Sequence, residues 1–182
     1  MAVPDKKYTV DEFLKFTENN SELFELIDGE IIAMSSPSTI HQTIVTEISA
    51  EIRNYIKTNN GKCKSFVAPY DVRLKNSIVI PDISVICDKS KIDDKRCNGS
   101  PDWIVEVVSS NWKDDYIRKL ALYEENGVRE YWIVDPEKEK VFVYFFENKN
   151  VTGFYDFSQT ITVNIYRDNP VQLKINIAEL IK

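Results

Sequence analysis

Two short apolar stretches of this chain each carry a single acidic residue near the centre. Pro101–Ser109 has the sequence P-D-W-I-V-E-V-V-S around Glu106, and Ser77–Cys87 has the sequence S-I-V-I-P-D-I-S-V-I-C around Asp82. Short apolar runs rich in β-branched residues are typical of strands that are buried on both faces. A lone carboxylate in such a strand costs on the order of several kcal/mol unless it is protonated, paired with a base or bound to a metal.

Two longer stretches have the periodicity of amphipathic helices. Thr39–Lys57 places an isoleucine at every fourth position, which predicts the longest helix of the chain. Asn111–Asn126 follows the Glu106 strand and predicts a second helix, which Asn111 can cap and Gly127 can end. This second helix carries Asp115 and Lys119.

The remaining patterns are short and are separated by turn residues. Strands are predicted at Phe24–Met34, where an Asp28-Gly29 turn divides two of them, and at Cys63–Leu74, Glu130–Val134, Lys140–Phe146, Gly153–Phe157, Thr160–Tyr166 and Val171–Ile177. Short helices are predicted at Thr9–Phe16 and Ile177–Ile181, and an exposed loop at Asp88–Ser100. Strands mixed with two substantial helices predict an α/β or α+β fold, in which a mixed sheet is flanked by helices and accompanied by antiparallel hairpins.

Length and charge narrow the organisation further. At 182 residues we expect one domain over residues 1–182, with a core at roughly 39–136 and a C-terminal β-meander at 137–182. The net charge of −6 argues against a surface that is basic throughout, as in a nucleic-acid coat protein. The net charge does not exclude a local basic groove, or a site whose acids are offset by bound metal.

Cysteine usage and hydropathy bear on location. Cys63, Cys87 and Cys97 form no C-x-x-C pair, so we expect reduced thiols and a cytoplasmic protein. No apolar run approaches the ~18–20 residues of a membrane-spanning helix, so we expect no membrane partner.

Asp82 and Glu106 together predict a divalent-metal site. Hard cations such as Mg²⁺ or Mn²⁺ take oxygen ligands, and one or two carboxylates with waters and a substrate phosphate suffice. Adjacent strands can bring the two acids to one sheet edge, and alternation places Ile104, Glu106 and Val108 on one face. The alternative is that each acid lies in solvent at a strand end or pairs with a nearby lysine or arginine.

Three further polar residues are supporting candidates beside Lys119. Lys119 lies four residues after Asp115, a spacing that on its own predicts a solvated ion pair worth tenths of a kcal/mol. In the functional alternative, Lys119 points at the metal site and Asp115 orients it. His41 and Glu47 lie on the long helix and could point at the site, although an exposed structural histidine and a solvated glutamate are the plainer expectations.

The order and spacing of several segments resemble a known family. I-P-D-I-S-V-I, W-I-V-E-V-V-S and D-Y-I-R-K-L-A-L-Y-E-E-N-G-V-R-E-Y-W-I-V-D-P are similar to segments of the Uma-type family of putative restriction endonucleases, as are E-L-I-D-G-E and S-P-S-T-I-H-Q. The resemblance spans roughly Tyr8 to Pro136. It implies a restriction-endonuclease-like fold of the PD-(D/E)XK superfamily, with Asp82 as the acid of the P-D motif and Glu106 as that of the (D/E)-x-K motif.

One position departs from the superfamily pattern. The lysine of (D/E)-x-K would stand at Val108, and the resemblance implies that Lys119 on the next helix replaces it. The chain is then a metal-dependent endonuclease acting on DNA, with Mg²⁺ held by Asp82, Glu106 and the carbonyl of Val107. Cutting both strands of a duplex would favour a homodimer.

Two other functions are consistent with the same residues. One is a nucleic-acid-binding or accessory protein that keeps the nuclease fold without turnover. The other is a purely structural domain whose acids pair with lysines.

Overall fold

A computed structural model describes residues 6–18, 20–109, 118–147 and 151–182. Its α-helices are α1 Val10–Thr17, α2 Thr39–Thr58, α3 Leu120–Asn126 and α4 Ile177–Leu180. Its strands are β1 Phe24–Ile27, β2 Glu30–Ala33, β3 Lys64–Val67, β4 Asp71–Leu74, β5 Ser77–Val79, β6 Ile83–Ile86, β7 Arg96–Asn98, β8 Trp103–Val107, β9 Glu130–Asp135, β10 Lys140–Phe145, β11 Val151–Asp156, β12 Ile161–Thr162 and β13 Lys174–Ile175.

Two sheets contain most of these strands. One has five strands in the order β2-β1-β5-β4-β7, and the other has six in the order β11-β10-β9-β8-β6-β3. Both are mixed, since β4 and β7 run parallel, as do β8 and β9, while the remaining neighbours are antiparallel. Strands β12 and β13 form a separate antiparallel pair. The predicted α+β class, with mixed sheets, helices and antiparallel hairpins, is confirmed.

Two stretches predicted as single strands are each divided between the sheets. Cys63–Leu74 becomes β3 and β4, and Ser77–Cys87 becomes β5 and β6. A proline lies at each break, Pro69 in the first and Pro81 in the second. Proline has no N–H to give to a sheet ladder, so the pairing stops there and the chain crosses from one sheet to the other. Asp82 therefore lies at a break and not at the centre of a strand.

The six-stranded sheet has an apolar core on each face. Trp103, Val105 and Val107 of β8 pack with α2 and the C-terminal segments in one core. Ile104, from the opposite face of the same strand, packs with β4, β5 and α3 in the other core. Because side chains alternate along a strand, Glu106 shares the face of Ile104 and points towards the second sheet.

Most of the predicted local elements are confirmed. The Thr9 and Glu12 capping box starts α1, and the Asp28-Gly29 turn joins β1 to β2 with positive φ at both residues. The predicted loop at Asp88–Ser100 is partly wrong, because its Arg96–Asn98 segment pairs with β4 as β7. Of the second predicted helix, Leu120–Asn126 is described as α3, and residues 110–117 lie outside the described part.

The cysteine prediction is wrong in one respect. Cys63 and Cys87 form a disulfide, while Cys97 is a buried free thiol. The two bonded residues lie opposite each other just beyond the paired ends of β3 and β6, where Lys64 pairs with Ile86. The inference of a reducing compartment from the cysteines therefore loses its support. Within the described ranges, no helix has the length and apolar character needed to cross a bilayer.

Candidate active site

Asp82 and Glu106 lie opposite each other, Asp82 directly before β6 and Glu106 on β8. Strands β6 and β8 are antiparallel and pair Ile83 with Val105, so the next residues outward are Asp82 and Glu106. Directly opposite residues of an antiparallel pair project from the same face. The two acids are therefore neighbours in the space between the sheets.

Each of the two acids accepts a backbone N–H from the other strand. The amide of Val107 donates to Asp82 Oδ2 over 2.8 Å, and the amide of Asp82 lies 3.4 Å from Glu106 Oε2. His41, from the first turn of α2, places Nε2 3.1 Å from the same Asp82 Oδ2. These contacts fix the Asp82 carboxylate against β8, with 14% of its side chain exposed.

Lys119 and Tyr123 converge on the other carboxylate. Lys119 Nζ lies 2.9 Å from Glu106 Oε1, and the Tyr123 hydroxyl donates to the same oxygen over 2.8 Å. All three side chains are buried. Burial first, and then the nearby Glu106 carboxylate, raises the pKa of Tyr123 well above its usual value, so its hydroxyl stays protonated and remains a donor.

Sequence reasoning missed Glu25, a fourth buried member of this cluster. Glu25 Oε1, from β1 of the five-stranded sheet, lies 3.0 Å from Lys119 Nζ and accepts the amide of Ile80 over 2.8 Å. Its side chain is about as buried as that of Glu106. The signal that singled out Glu106, an acid between apolar neighbours in a strand, is also present here in F-E-L-I. Tyr123 was missed too, because it fits the apolar stripe of its helix.

The other predicted residues have different positions. His41 is 5% exposed, so the expectation of an exposed histidine is wrong, and its Nδ1 has no hydrogen-bond partner. Glu47 is half-buried further along α2 and does not line the cavity described below. Val107 lines that cavity, while Asp115 lies outside the described residues. Lys119 is not on a solvated helix face, because it is buried between two carboxylates.

A cavity of about 670 Å³ opens onto this cluster. Its polar lining contains Glu22, Glu25, Asp82, Glu106, Lys119 and His41. Apolar residues also line it, among them Leu23, Met34, Pro37 and Pro69. Among the described residues that line it, carboxylates outnumber cations, so the cavity has the electrostatic character of a cation site.

The cavity offers carboxylate oxygens as ligands for a hard cation. In the described part of the chain, no group of three or more His, Cys, Asp or Glu side chains is arranged to hold a metal ion. Mg²⁺, however, is commonly bound through one or two carboxylates, with waters and substrate phosphate completing its shell. Asp82 and Glu106 supply two such carboxylates at the cavity wall, so the residues present fit that mode of binding.

Comparison with known proteins relates this geometry to a family. Residues 10–170 match the family described as Uma2, putative restriction endonuclease. The chain belongs to the Uma2 family. The matched range contains all three residues of the Asp82–Glu106–Lys119 cluster, and it continues past Pro136 into the C-terminal strands.

Two relatives extend the comparison. An uncharacterized protein of Synechocystis sp. is 27% identical over 157 residues, which is 84% of this chain and 80% of the relative. The crystal structure of a putative nuclease belonging to DUF820 from Anabaena variabilis has a TM-score of 0.76 at 24% identity, covering 95% of this chain and 97% of that one. At that identity the structural likeness shows the fold alone, and this Uma2 chain has that fold over nearly its whole length.

Proposed function

We propose that this chain is a metal-dependent endonuclease that hydrolyses phosphodiester bonds of DNA, with Asp82, Glu106 and Lys119 as its catalytic residues. The observation that carries the proposal is the convergence of these three side chains in one cavity. Lys119 Nζ is 2.9 Å from Glu106, and Asp82 is fixed by the amide next to Glu106. The departure at Val108 is thereby offset, because a lysine from the next segment reaches the same carboxylate.

Asp82 and Glu106 are the residues that would hold Mg²⁺ or Mn²⁺, together with the carbonyl of Val107. When bound, such a cation supplies positive charge to the phosphate and makes a water easier to deprotonate. The chain's own task is to keep the two carboxylates in place. The Val107 amide and His41 do so for Asp82, and Tyr123 and Lys119 do so for Glu106.

Lys119 has a separate electrostatic task. Its ammonium is buried beside Glu106, at the edge of the space that a phosphate bound to the cavity would occupy. A fixed positive charge in a poorly solvated site stabilises the negative charge that develops on a phosphate more strongly than a solvated one does. We expect Lys119 to act in this way and to orient the attacking water.

The surplus of carboxylates supports a requirement for metal. A cavity lined by more acids than cations repels the phosphates of DNA at long range. A bound divalent cation would make the local electrostatic potential positive. We therefore expect productive DNA binding at this site to depend on Mg²⁺ or Mn²⁺.

The test is cleavage of supercoiled plasmid with Mg²⁺, with Mn²⁺ and with chelator. The parent should cleave only with metal, and Asp82→Ala and Lys119→Met should each reduce cleavage by at least about 10²-fold. Lys57→Met removes an exposed lysine of α2 and is the matched control, which should cleave like the parent. DNA binding by a parent that never cleaves would contradict the proposal and favour a nucleic-acid-binding or accessory protein.

We further propose that cleavage of both strands involves a homodimer, since one site of this kind cuts one strand at a time. Sedimentation of the parent with and without duplex DNA measures this. A monomer that linearises plasmid without accumulating nicked circles would contradict it.

A further inference from the structure

The Glu25–Lys119 contact joins the two sheets at the candidate site. Glu25 belongs to β1 of the five-stranded sheet, while Glu106 belongs to β8 of the six-stranded sheet. Lys119 Nζ lies between them, 3.0 Å from Glu25 Oε1 and 2.9 Å from Glu106 Oε1. The Lys119 ammonium therefore has carboxylate partners from both sheets.

The same Glu25 oxygen also fixes the segment that carries Asp82. It accepts the amide of Ile80 over 2.8 Å, in the break between β5 and β6. Ile80 and Pro81 are the two residues that precede Asp82 in the chain. The Glu25 carboxylate, from the five-stranded sheet, therefore contacts both Lys119 and the segment that leads into Asp82.

We propose that Glu25 is a positioning residue of this site, which acts by fixing the Lys119 ammonium beside Glu106. The inference rests on the proposed nuclease function and adds to it a residue that the (D/E)-x-K pattern does not contain. A lysine has a long flexible stem, and holding its charge at one point costs side-chain entropy. A second carboxylate helps to meet that need, because the ammonium is then held by Glu25 Oε1 as well as by Glu106 Oε1.

The competing role for Glu25 is that of a direct metal ligand. Its Oε1 already accepts a backbone amide and an ammonium proton, and the amide cannot move away without disturbing the β5–β6 break. The ion pair with Lys119 gives Glu25 a role at the site that needs no contact with metal. The two roles differ in what they predict for metal affinity.

The experiment compares Glu25→Gln in two backgrounds, the parent and Lys119→Met. Glutamine keeps the size of the side chain and an oxygen for the Ile80 amide, but it removes the negative charge that pairs with Lys119. In the parent background kcat should fall by about 10–100-fold while KM for DNA and Mn²⁺ affinity change by less than about twofold. In the Lys119→Met background the same change should alter cleavage by less than about twofold, since residues that act as one unit are not additive.

Glu125→Gln is the matched control, because Glu125 is an exposed acid of α3 that does not line the cavity. It removes one negative charge from the surface outside the site, and kcat should remain within about twofold of the parent.

A second measurement needs no activity. Lys119 should be acetylated slowly by an amine-reactive ester in the parent and at least about tenfold faster in Glu25→Gln, as followed by peptide mass spectrometry. This measurement decides the matter if the Lys119→Met background cleaves too slowly to quantify.

Three results would each overturn the inference alone: equal losses from Glu25→Gln in both backgrounds, Mn²⁺ affinity at least tenfold weaker in Glu25→Gln, or Lys119 labelling no faster than in the parent. An inactive parent, seen before any variant is made, overturns the nuclease function and this inference with it.

Discussion

Lys119→Met gives the sharpest test of the buried charge cluster by stability. The substitution keeps an unbranched apolar stem and removes the ammonium that lies 2.9 Å from Glu106 and 3.0 Å from Glu25. An exposed ion pair would contribute only about 0.2–1 kcal/mol. Here all three side chains are about 95% buried, and removing one partner of a buried pair costs about 3–5 kcal/mol, because it leaves charge without compensation. We therefore expect the free energy of unfolding to fall by about 3–5 kcal/mol.

The measurement is urea denaturation followed by circular dichroism, without metal, beside the exposed-lysine control Lys57→Met. The control should stay within about 0.5 kcal/mol of the parent. Adding Glu106→Gln to Lys119→Met removes one of the two stranded carboxylates and should recover at least about 1 kcal/mol. A loss below about 1 kcal/mol for Lys119→Met, or a double variant that loses the sum of the two single changes, would refute the account of a charge-compensated cluster.

Two further changes probe the residues around the cluster. Tyr123→Phe removes a hydroxyl donor to Glu106 Oε1, so it should cost about 0.5–1.5 kcal/mol of stability and about 10–100-fold in cleavage; unchanged cleavage would mean that this hydroxyl is not needed to hold that carboxylate. Glu130 is fully buried among neutral donors, and burial raises its pKa above the usual 4.5. The folded state then holds a proton that the unfolded state releases, so this residue's contribution is present below about pH 4.5 and is lost as pH rises through the raised pKa. Relative to Glu130→Gln, the parent should lose stability over that window in urea titrations; a difference that stays constant or grows with pH would contradict this.

The strand that carries Glu106 was predictable because its signal is local. Glu106 interrupts a continuous apolar run, and that run is β8 with all five residues buried. The break at Pro81 was visible in the sequence, but its consequence was not. Hydrophobic periodicity does not say which sheet receives each half of a divided strand, because both halves are equally buried.

The missed contacts depend on distant parts of the chain. His41 is buried because Asp82 meets it from another element, and the helix pattern alone predicts a polar residue in solvent. The role of Glu25 is indicated only by its contacts with Lys119 and Ile80, neither of which is near it in sequence. The Cys63–Cys87 disulfide likewise follows from the β3–β6 register, which the cysteine spacing does not encode.

Because the chain crosses between the sheets, the site can assemble only late in folding. Glu25 comes from one sheet, Glu106 comes from the other, and Asp82 follows a crossing between them. Lys119 and Tyr123 come later in the chain than all three acids. During synthesis, the cluster cannot assemble until the segment after β8 has left the ribosome and both sheets have formed and packed together. An incomplete or half-folded chain therefore carries the acids without a formed site, and any activity begins only with the finished fold.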